Sequence, residues 1–304
     1  MKDKKSKILS VDFSVGPVLR HFRQKKRVMA KDLAEVIGVL PPQFTKIENG
    51  SQSLSAEQFV TLLTYLNVSF EEVSFLLDGK YLKARNEVKK DLLSLSKKRN
   101  KQHMQLLNNN AQAHYKEYRD PYFKHVSCML QALIMVGETN HDYAQAYEIL
   151  KPVSDYLSSV ETWFEYEIAL FINCYYLYPL EKSLEQSRMV LSKIQENDFS
   201  IRYNELAHNL FLNLAIYALD EKKHCFDAID LANRSLLAQS VNSLQTSVTA
   251  KVIYQIAHYK LETGVYNQFL LTDIVKGLRL MQFDDFAENI LTLLKKHGII
   301  LKDI

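Results

Sequence analysis

Gln43 and Lys46 lie three residues apart in the stretch PPQFTKIENG, with Thr45 beside them. On a helix, that spacing puts both long polar side chains on one face. A Gln can hold an adenine edge through two hydrogen bonds and a Lys can donate to guanine acceptors, which is the chemistry of reading duplex bases in the major groove. Lys31, Asn49 and Ser51 sit at helix or turn edges, where contacts go to phosphate oxygens and position a protein without specifying sequence. Pro41 and Pro42 suit a first helical turn, because their missing amides would be unpaired there anyway. They bring no donor, so Pro42 is limited to apolar contact with a thymine methyl, and DNA shape gains weight in recognition.

A second set of side chains suits an extended peptide, whose unpaired amides and carbonyls need partners that both donate and accept. Asn does both. Asn209 and Asn213 are four apart in HNLFLNLAIY, and Asn173 falls one helical pair earlier with Tyr166 and Tyr176 near it. Arg202, Tyr254 and His258 extend the same candidate effector wall. The 17 Tyr and 15 Phe suffice to line an apolar groove and still fill a core.

Signals for catalysis are poor. NELAH at 204–208 lacks the leading His of the H-E-x-x-H zinc pattern, leaving His208 alone. There is no G-x-S-x-G, P-loop or Gly-rich dinucleotide fingerprint, and eight Gly could hardly build one. Cys128, Cys174 and Cys225 are odd in number, widely separated and set in apolar helical patterns, as buried free thiols of a reducing compartment would be. The first residues are charged without the apolar run of a signal sequence, and no stretch is long enough to span a bilayer. The expectation is a cytoplasmic protein with no catalytic residue, metal, cofactor or membrane partner.

The elements that must position the first set lie within residues 15–78. Val18, Leu19 and Phe22 form an apolar stripe, as do Leu33, Ala34 and Ile37, then Phe44 and Ile47, then Phe59, Leu62, Leu63 and Leu66. Gly38 stops the second helix and Gly50 ends the third as a left-handed cap. Ser55 with Gln58 three residues on is a capping box opening the fourth. Five short helices with a tight turn between the second and third make a helix-turn-helix pattern. Leu19, Arg20, Arg23, Leu33, Ala34, Ile37, Gly38, Val39, Phe44, Ile47, Glu48 and Gly50 together resemble the phage-repressor (Cro/C1) type of this motif. The resemblance implies a lambda-repressor-like fold in which Arg23 reaches Glu48, tying the first helix to the recognition helix as a structural pair. Ala30 departs from it, standing where a polar residue commonly begins the second helix.

Charge singles out the same region. Residues 1–104 carry 20 Lys and Arg against 11 Asp and Glu, whereas 105–304 carry 18 against 24. A basic first third on an acidic body is an electrostatic footprint for phosphates confined to one part of the chain. Lys2, Lys4, Lys5 and Lys7 form a basic arm over residues 1–14, and Lys25, Lys26 and Arg27 crowd one turn. Residues 79–104 are rich in charge and helix formers, predicting a helical linker with dimer contacts rather than a flexible tether.

From 105 to 304 amphipathic helices recur in pairs. First members are expected near Tyr122, Val160, Arg202, Leu244 and Asp284, and partners near Asp142, Leu180, His224 and Val265. A period of roughly 40 residues fits stacked helical hairpins, a tetratricopeptide-like α-solenoid with a concave binding wall. A non-repeating helical bundle is the alternative packing of the same pattern. Within this stretch VETWFEYEIALFINCYYLYPLEKSLEQSRMVL resembles the C-terminal domain of Rgg/GadR/MutR transcriptional regulators, and domain order and length agree. The resemblance implies a homodimer whose repeat domain, in many members, binds a short re-imported peptide pheromone; other members have no known peptide.

The expectation is therefore an all-α regulator that binds double-stranded DNA at a near-palindromic operator. A peptide effector in the repeat domain would shift head spacing or contact with RNA polymerase. A peptide- or protein-binding adaptor with a DNA-blind head is the competing class, given Ala30 and the paired prolines.

Overall fold

In the computed structural model, residues 13–97, 100–138, 143–194, 201–237 and 244–301 are described, and every regular element among them is helical. Lys2, Lys4, Lys5 and Lys7 of the basic arm lie outside the described residues. The chain divides into two units, residues 1–124 and 125–304.

The first unit opens with the five short helices expected from the stripes: α1 (Gly16–Lys25), α2 (Ala30–Val36), α3 (Pro41–Glu48), α4 (Ala56–Leu66) and α5 (Phe70–Leu76). Each stripe delivers at least one residue to a single core, with Leu19, Leu33, Phe44, Leu62 and Val73 wholly excluded from solvent. Such a side chain contributes about 1.5–3 kcal/mol relative to exposure. Helix starts are fixed by reciprocal caps. Gln58 N donates to Ser55 Oγ at 3.1 Å while Ser55 N donates to Gln58 Oε1 at 3.2 Å, and Ser69 with Glu72 repeats the device at α5. The Ser69 amide donating to Glu72 holds that carboxyl below the usual carboxylate range.

Gly50 takes φ +75 just beyond α3, a left-handed position where other residues are strained. Gly16 has a different reason to be glycine. It opens α1 against the last turn of α3, and a Cβ there would fall 1.8 Å from the Ile47 carbonyl oxygen. The contact sets how closely α1 approaches α3.

Beyond the head, α6 (Lys80–Lys97) and α7 (Lys101–Tyr118) pack on each other. The 79–104 stretch therefore carries α6 and the first residues of a new helix. Asn100 caps that helix, its Oδ1 accepting from His103 N at 3.3 Å. Arg85 NH1 donates to Tyr81 Oη and to Asp120 Oδ2, fastening α6 to the end of α7.

The second unit takes in α8 (Pro121–Glu138) from His125 onward, then α9 (Tyr143–Ser159), α10 (Glu165–Ile172), α11 (Leu180–Ile194), α12 (Ile201–Ala218), α13 (Cys225–Leu237), α14 (Leu244–Leu261), α15 (Gln268–Leu280) and α16 (Asp284–Lys296). Starts at Pro121, Tyr143, Leu180, Ile201, Cys225, Leu244 and Asp284 fall within a residue of the expected positions. Two are later: α10 begins at Glu165 rather than near Val160, and α15 at Gln268 rather than Val265. Val160 to Phe164 instead form a corner that buries Trp163, whose Nε1 donates to Leu157 O at 3.0 Å.

Sequence neighbours pack as pairs: α12 on α13, α13 on α14 and α15 on α16. Alternate helices also touch, α10 on α12, α12 on α14 and α14 on α16. That alternation is the mark of stacked hairpins, and a non-repeating bundle has no reason to produce it. Ala207, Ala215, Ala228, Ala232 and Ala257, all buried, let the helices come close.

Candidate nucleic-acid interface and effector pocket

Helix α3 is split lengthwise by its packing. Phe44, Ile47 and Glu48 are buried, while Pro41, Pro42, Gln43, Thr45 and Lys46 are exposed, with Asn49 and Ser51 exposed just beyond the helix. Lys31 is exposed on α2, so the sequence-derived interface residues all reach solvent. Most of the polar ones are lightly held. Gln43 Oε1 accepts from Leu40 N at 3.3 Å, Thr45 Oγ1 donates to Pro41 O at 3.1 Å, and Ser51 Oγ donates to Lys46 O at 3.0 Å. Arg20 NH1 donates to Asn49 Oδ1 at 3.0 Å, adding a cation beside the end of α3 that spacing alone did not single out. Exposed hydrogen bonds like these contribute about 1 kcal/mol or less, so a DNA contact can replace them at small cost.

Behind the exposed face lies an ion pair. Arg23 Nε donates to Glu48 Oε1 at 2.6 Å and NH2 to Oε2 at 2.9 Å, while NH1 donates to Val28 O at 3.0 Å. Arg23 and Glu48 side chains are 14% and 5% exposed, so water barely screens the pair. The hydrogen bond that Arg23 donates to Glu48 raises the arginine pKa further, against the opposing effect of burial. All three guanidinium nitrogens are committed, which makes Arg23 a brace between α1, the α1–α2 turn and α3 rather than a DNA contact.

The effector set falls on the alternate helices of the second unit. Asn209 and Asn213 lie on α12, exposed and half-buried respectively, and the rings of Tyr254 and His258 meet along α14 at 4.2 Å between centroids, tilted by 56°. Arg202 is in the first turn of α12, with its side chain outside the described residues. Asn173 caps the end of α10, where its Nδ2 donates to Ala169 O at 2.6 Å. Tyr166 lies 2.8 Å from His125 Nδ1 through its hydroxyl. These two are thus partly used by the fold.

Tyr176 alone of the set lines a cavity in this unit, about 680 Å³ in volume. Its walls come from α9, the 3-10 turn Tyr175–Leu177, the end of α12 and the end of α16. Tyr143, Tyr147, Tyr175, Tyr178 and Tyr217 complete an aromatic lining that sequence reasoning missed. The YYLYP run at 175–179 was the available signal, but its partners come from distant segments.

Cys174 and Cys225 are buried and Cys128 is half-buried rather than buried, all three as free thiols. His208 is buried, its Nδ1 donating to Ser235 O at 2.5 Å and leaving Nε2 to accept from the Thr246 hydroxyl at 2.8 Å. Among the described residues, Glu181, Glu221 and His224 bring potential ligand atoms within 4.8 Å of one another. Lys223 Nζ already sits 2.7 Å from Glu181 and 3.2 Å from Glu221, and it holds the Glu181 carboxyl down at about 2. An ammonium occupying the same carboxylates is a structural ion cluster, and no metal is assigned.

The described residues contain no helix long and apolar enough to cross a membrane. A helix-turn-helix head followed by stacked helical hairpins defines the class of protein. The family model for the C-terminal domain of the HTH-type transcriptional regulator Rgg matches residues 80–266, and the chain belongs to that family. The fold also agrees with solved structures. The Streptococcus dysgalactiae SHP pheromone receptor Rgg2 is 20% identical with a TM-score of 0.68, covering 93% of this chain and 99% of that one. A putative transcriptional regulator from Listeria monocytogenes EGD-e is 18% identical with a TM-score of 0.74, covering 94% and 99%. The PrgX/iCF10 complex is 15% identical with a TM-score of 0.63, covering 94% and 96%.

Proposed function

We propose that this protein is a cytoplasmic, homodimeric transcription regulator whose head binds operator DNA and whose repeat domain holds a short signalling peptide. One observation carries the DNA half. The exposed side of α3 presents Gln43, Thr45 and Lys46, while its buried side is locked by Phe44, Ile47 and the Arg23–Glu48 pair. A rigid helix with a polar outer face is what major-groove entry requires. Lys31, Asn49 and Ser51 would meet phosphates at its flanks, and Pro42 a thymine methyl. Two heads bind half-sites about one helical turn apart, since one small head gives inadequate affinity.

The peptide half is supported by membership of the Rgg family and by a fold shared with a pheromone receptor and with a bacterial peptide pheromone/receptor complex. Asn209 and Asn213 on α12, with Tyr254 and Arg202, are the proposed backbone clamp. The effector works by differential affinity for two arrangements of the dimer, which changes head spacing or contact with RNA polymerase. Pro41 and Pro42 at the start of α3 favour the adaptor reading, because they remove two amide donors from the position nearest the groove.

The test is duplex selection from a random pool with the full chain, followed by salt titration. Enrichment of a two-half-site sequence, with affinity falling steeply as salt rises, supports the regulator. Equal affinity for every duplex, or none at low salt, hands the case to the adaptor. Mass spectrometry of peptides that co-purify, repeated with Asn213→Ala, tests the effector half separately.

A further inference from the structure

Behind two tyrosines that line the cavity lies a cation that the proposed peptide clamp does not use. Lys182, in the first turn of α11, is half-buried. Its Nζ donates to Tyr147 Oη at 2.5 Å and to Ser154 Oγ at 2.9 Å, and it lies 4.9 Å and 5.5 Å from the ring centroids of Tyr147 and Tyr178. Both hydrogen-bond partners are neutral. Among the described residues no carboxylate pairs with it. Partly desolvated cations ordinarily sit beside an anion, because neutral dipoles replace lost water incompletely.

Tyr147 carries the charge to the cavity. Its hydroxyl accepts from Lys182 and so keeps its own proton to donate, and that contact draws the phenol below its ordinary pKa. Tyr147 and Tyr178, the two rings beneath Lys182, both line the cavity. The ring of Tyr178 also meets Phe171, and the Tyr217 hydroxyl donates to Tyr178 O at 3.2 Å, which stiffens the wall. At the rim, Lys296 Nζ and Asp220 Oδ1 neutralise each other at 2.6 Å, so the uncompensated charge is that of Lys182.

We propose that this cavity is a binding site for an apolar carboxylate, its carboxylate accepting from the Tyr147 hydroxyl backed by Lys182 and its apolar part lying among Tyr175, Tyr178 and Tyr217. A volume of about 680 Å³ lies in the range of small-molecule sites. The same chemistry is offered by the C-terminal residue of a peptide and by a free aromatic or aliphatic acid. The site shares no residue with the proposed clamp of Asn209, Asn213, Tyr254 and Arg202, and it stands whether or not the head reads DNA.

Calorimetric titration of the full chain, without DNA, tests it. N-acetylphenylalanine is expected to bind at least tenfold more tightly than N-acetylphenylalaninamide, and that preference is expected to vanish in Lys182→Met and to weaken in Tyr147→Phe. The acid–amide comparison on the wild-type chain needs no variant, so it decides the matter even where Lys182→Met misfolds. Acid and amide binding equally, or neither binding at millimolar concentration, overturns the proposal. Two further probes separate the sources: 3-phenylpropionate, and a hexapeptide ending in Phe with a free or amidated terminus. Preference for the free-ended hexapeptide assigns the site to a peptide terminus, and equal binding of 3-phenylpropionate assigns it to a small acid. The acid–amide preference of the single-residue probes does not involve the Asn209/Asn213 clamp, so failure of that clamp and failure of this site read out separately.

Discussion

The head and the repeat unit place their polar groups in opposite ways. In the head, Glu48 is the one buried polar residue among those described, and it is paired with Arg23. In residues 125–304 the buried polar residues include His125, Glu167, Gln186, His208 and Gln255, with several Ser and Thr. A head with an apolar interior holds one conformation and meets its partner with an outer face. A repeat unit with hydrogen-bonded seams between helices has an interior whose packing a bound group can bias, since satisfied and unsatisfied polar contacts differ by about 1–3 kcal/mol. Under the proposed function, recognition falls to a surface backed by an apolar core and response to a unit with a polar interior.

Glu48→Ala is the largest way to break that division. It strands the Arg23 guanidinium and should remove about 3–5 kcal/mol from the head. The sole tryptophan, Trp163, is wholly buried in the second unit. In denaturant, circular dichroism should therefore acquire an early transition that Trp163 fluorescence does not follow. A single coincident transition would mean that the units unfold as one. The reciprocal variant, His208→Ala, should cost about 1–3 kcal/mol by removing the buried hydrogen bonds that His208 makes to Ser235 O and Thr246 Oγ1. It should move the Trp163 transition and leave DNA affinity unchanged. Lys46→Ala and Gln43→Ala change exposed residues, so stability should stay within about 0.5 kcal/mol. Operator affinity should nonetheless fall roughly 10-fold to 100-fold for a lost base contact.

Thiol chemistry sharpens the same contrast on a smaller scale. Burial pushes the Cys174 thiol up to about 12, so at pH 8 it is almost wholly protonated. Iodoacetamide should modify half-buried Cys128 first and reach Cys174 only as the repeat unit unfolds. Mass-spectrometric labelling rates check the order.

The head was more legible in the sequence than the pocket was. Its helices are short, each is bounded by Gly, Pro or a capping box, and one stripe per helix suffices to place the core. Hence residue spacing alone set Gln43, Lys46 and their neighbours on an outer face. Gly16 escaped because its reason is a close approach to Ile47 O, a residue 31 positions away that no local pattern reveals. In the repeat unit the helix starts were readable from periodicity, but Asn173 at the end of α10 turned back on its own helix, which spacing does not distinguish from a ligand contact. The tyrosine cavity was hidden for a related reason. Tyr147, Tyr178 and Tyr217 come from separate elements, and each alone has the spacing of an ordinary core residue.

The most direct test of the central claim compares two duplexes, the selected operator and a scrambled one of equal length, by fluorescence anisotropy with wild-type protein and the Gln43→Ala/Lys46→Ala double variant. The account predicts that the wild type prefers the operator and that the double variant loses this preference while keeping its fold and its weak, salt-sensitive affinity for the scrambled duplex. If the double variant discriminated between the duplexes as well as the wild type does, the outer face of α3 would not be the reading surface, and the account would fail.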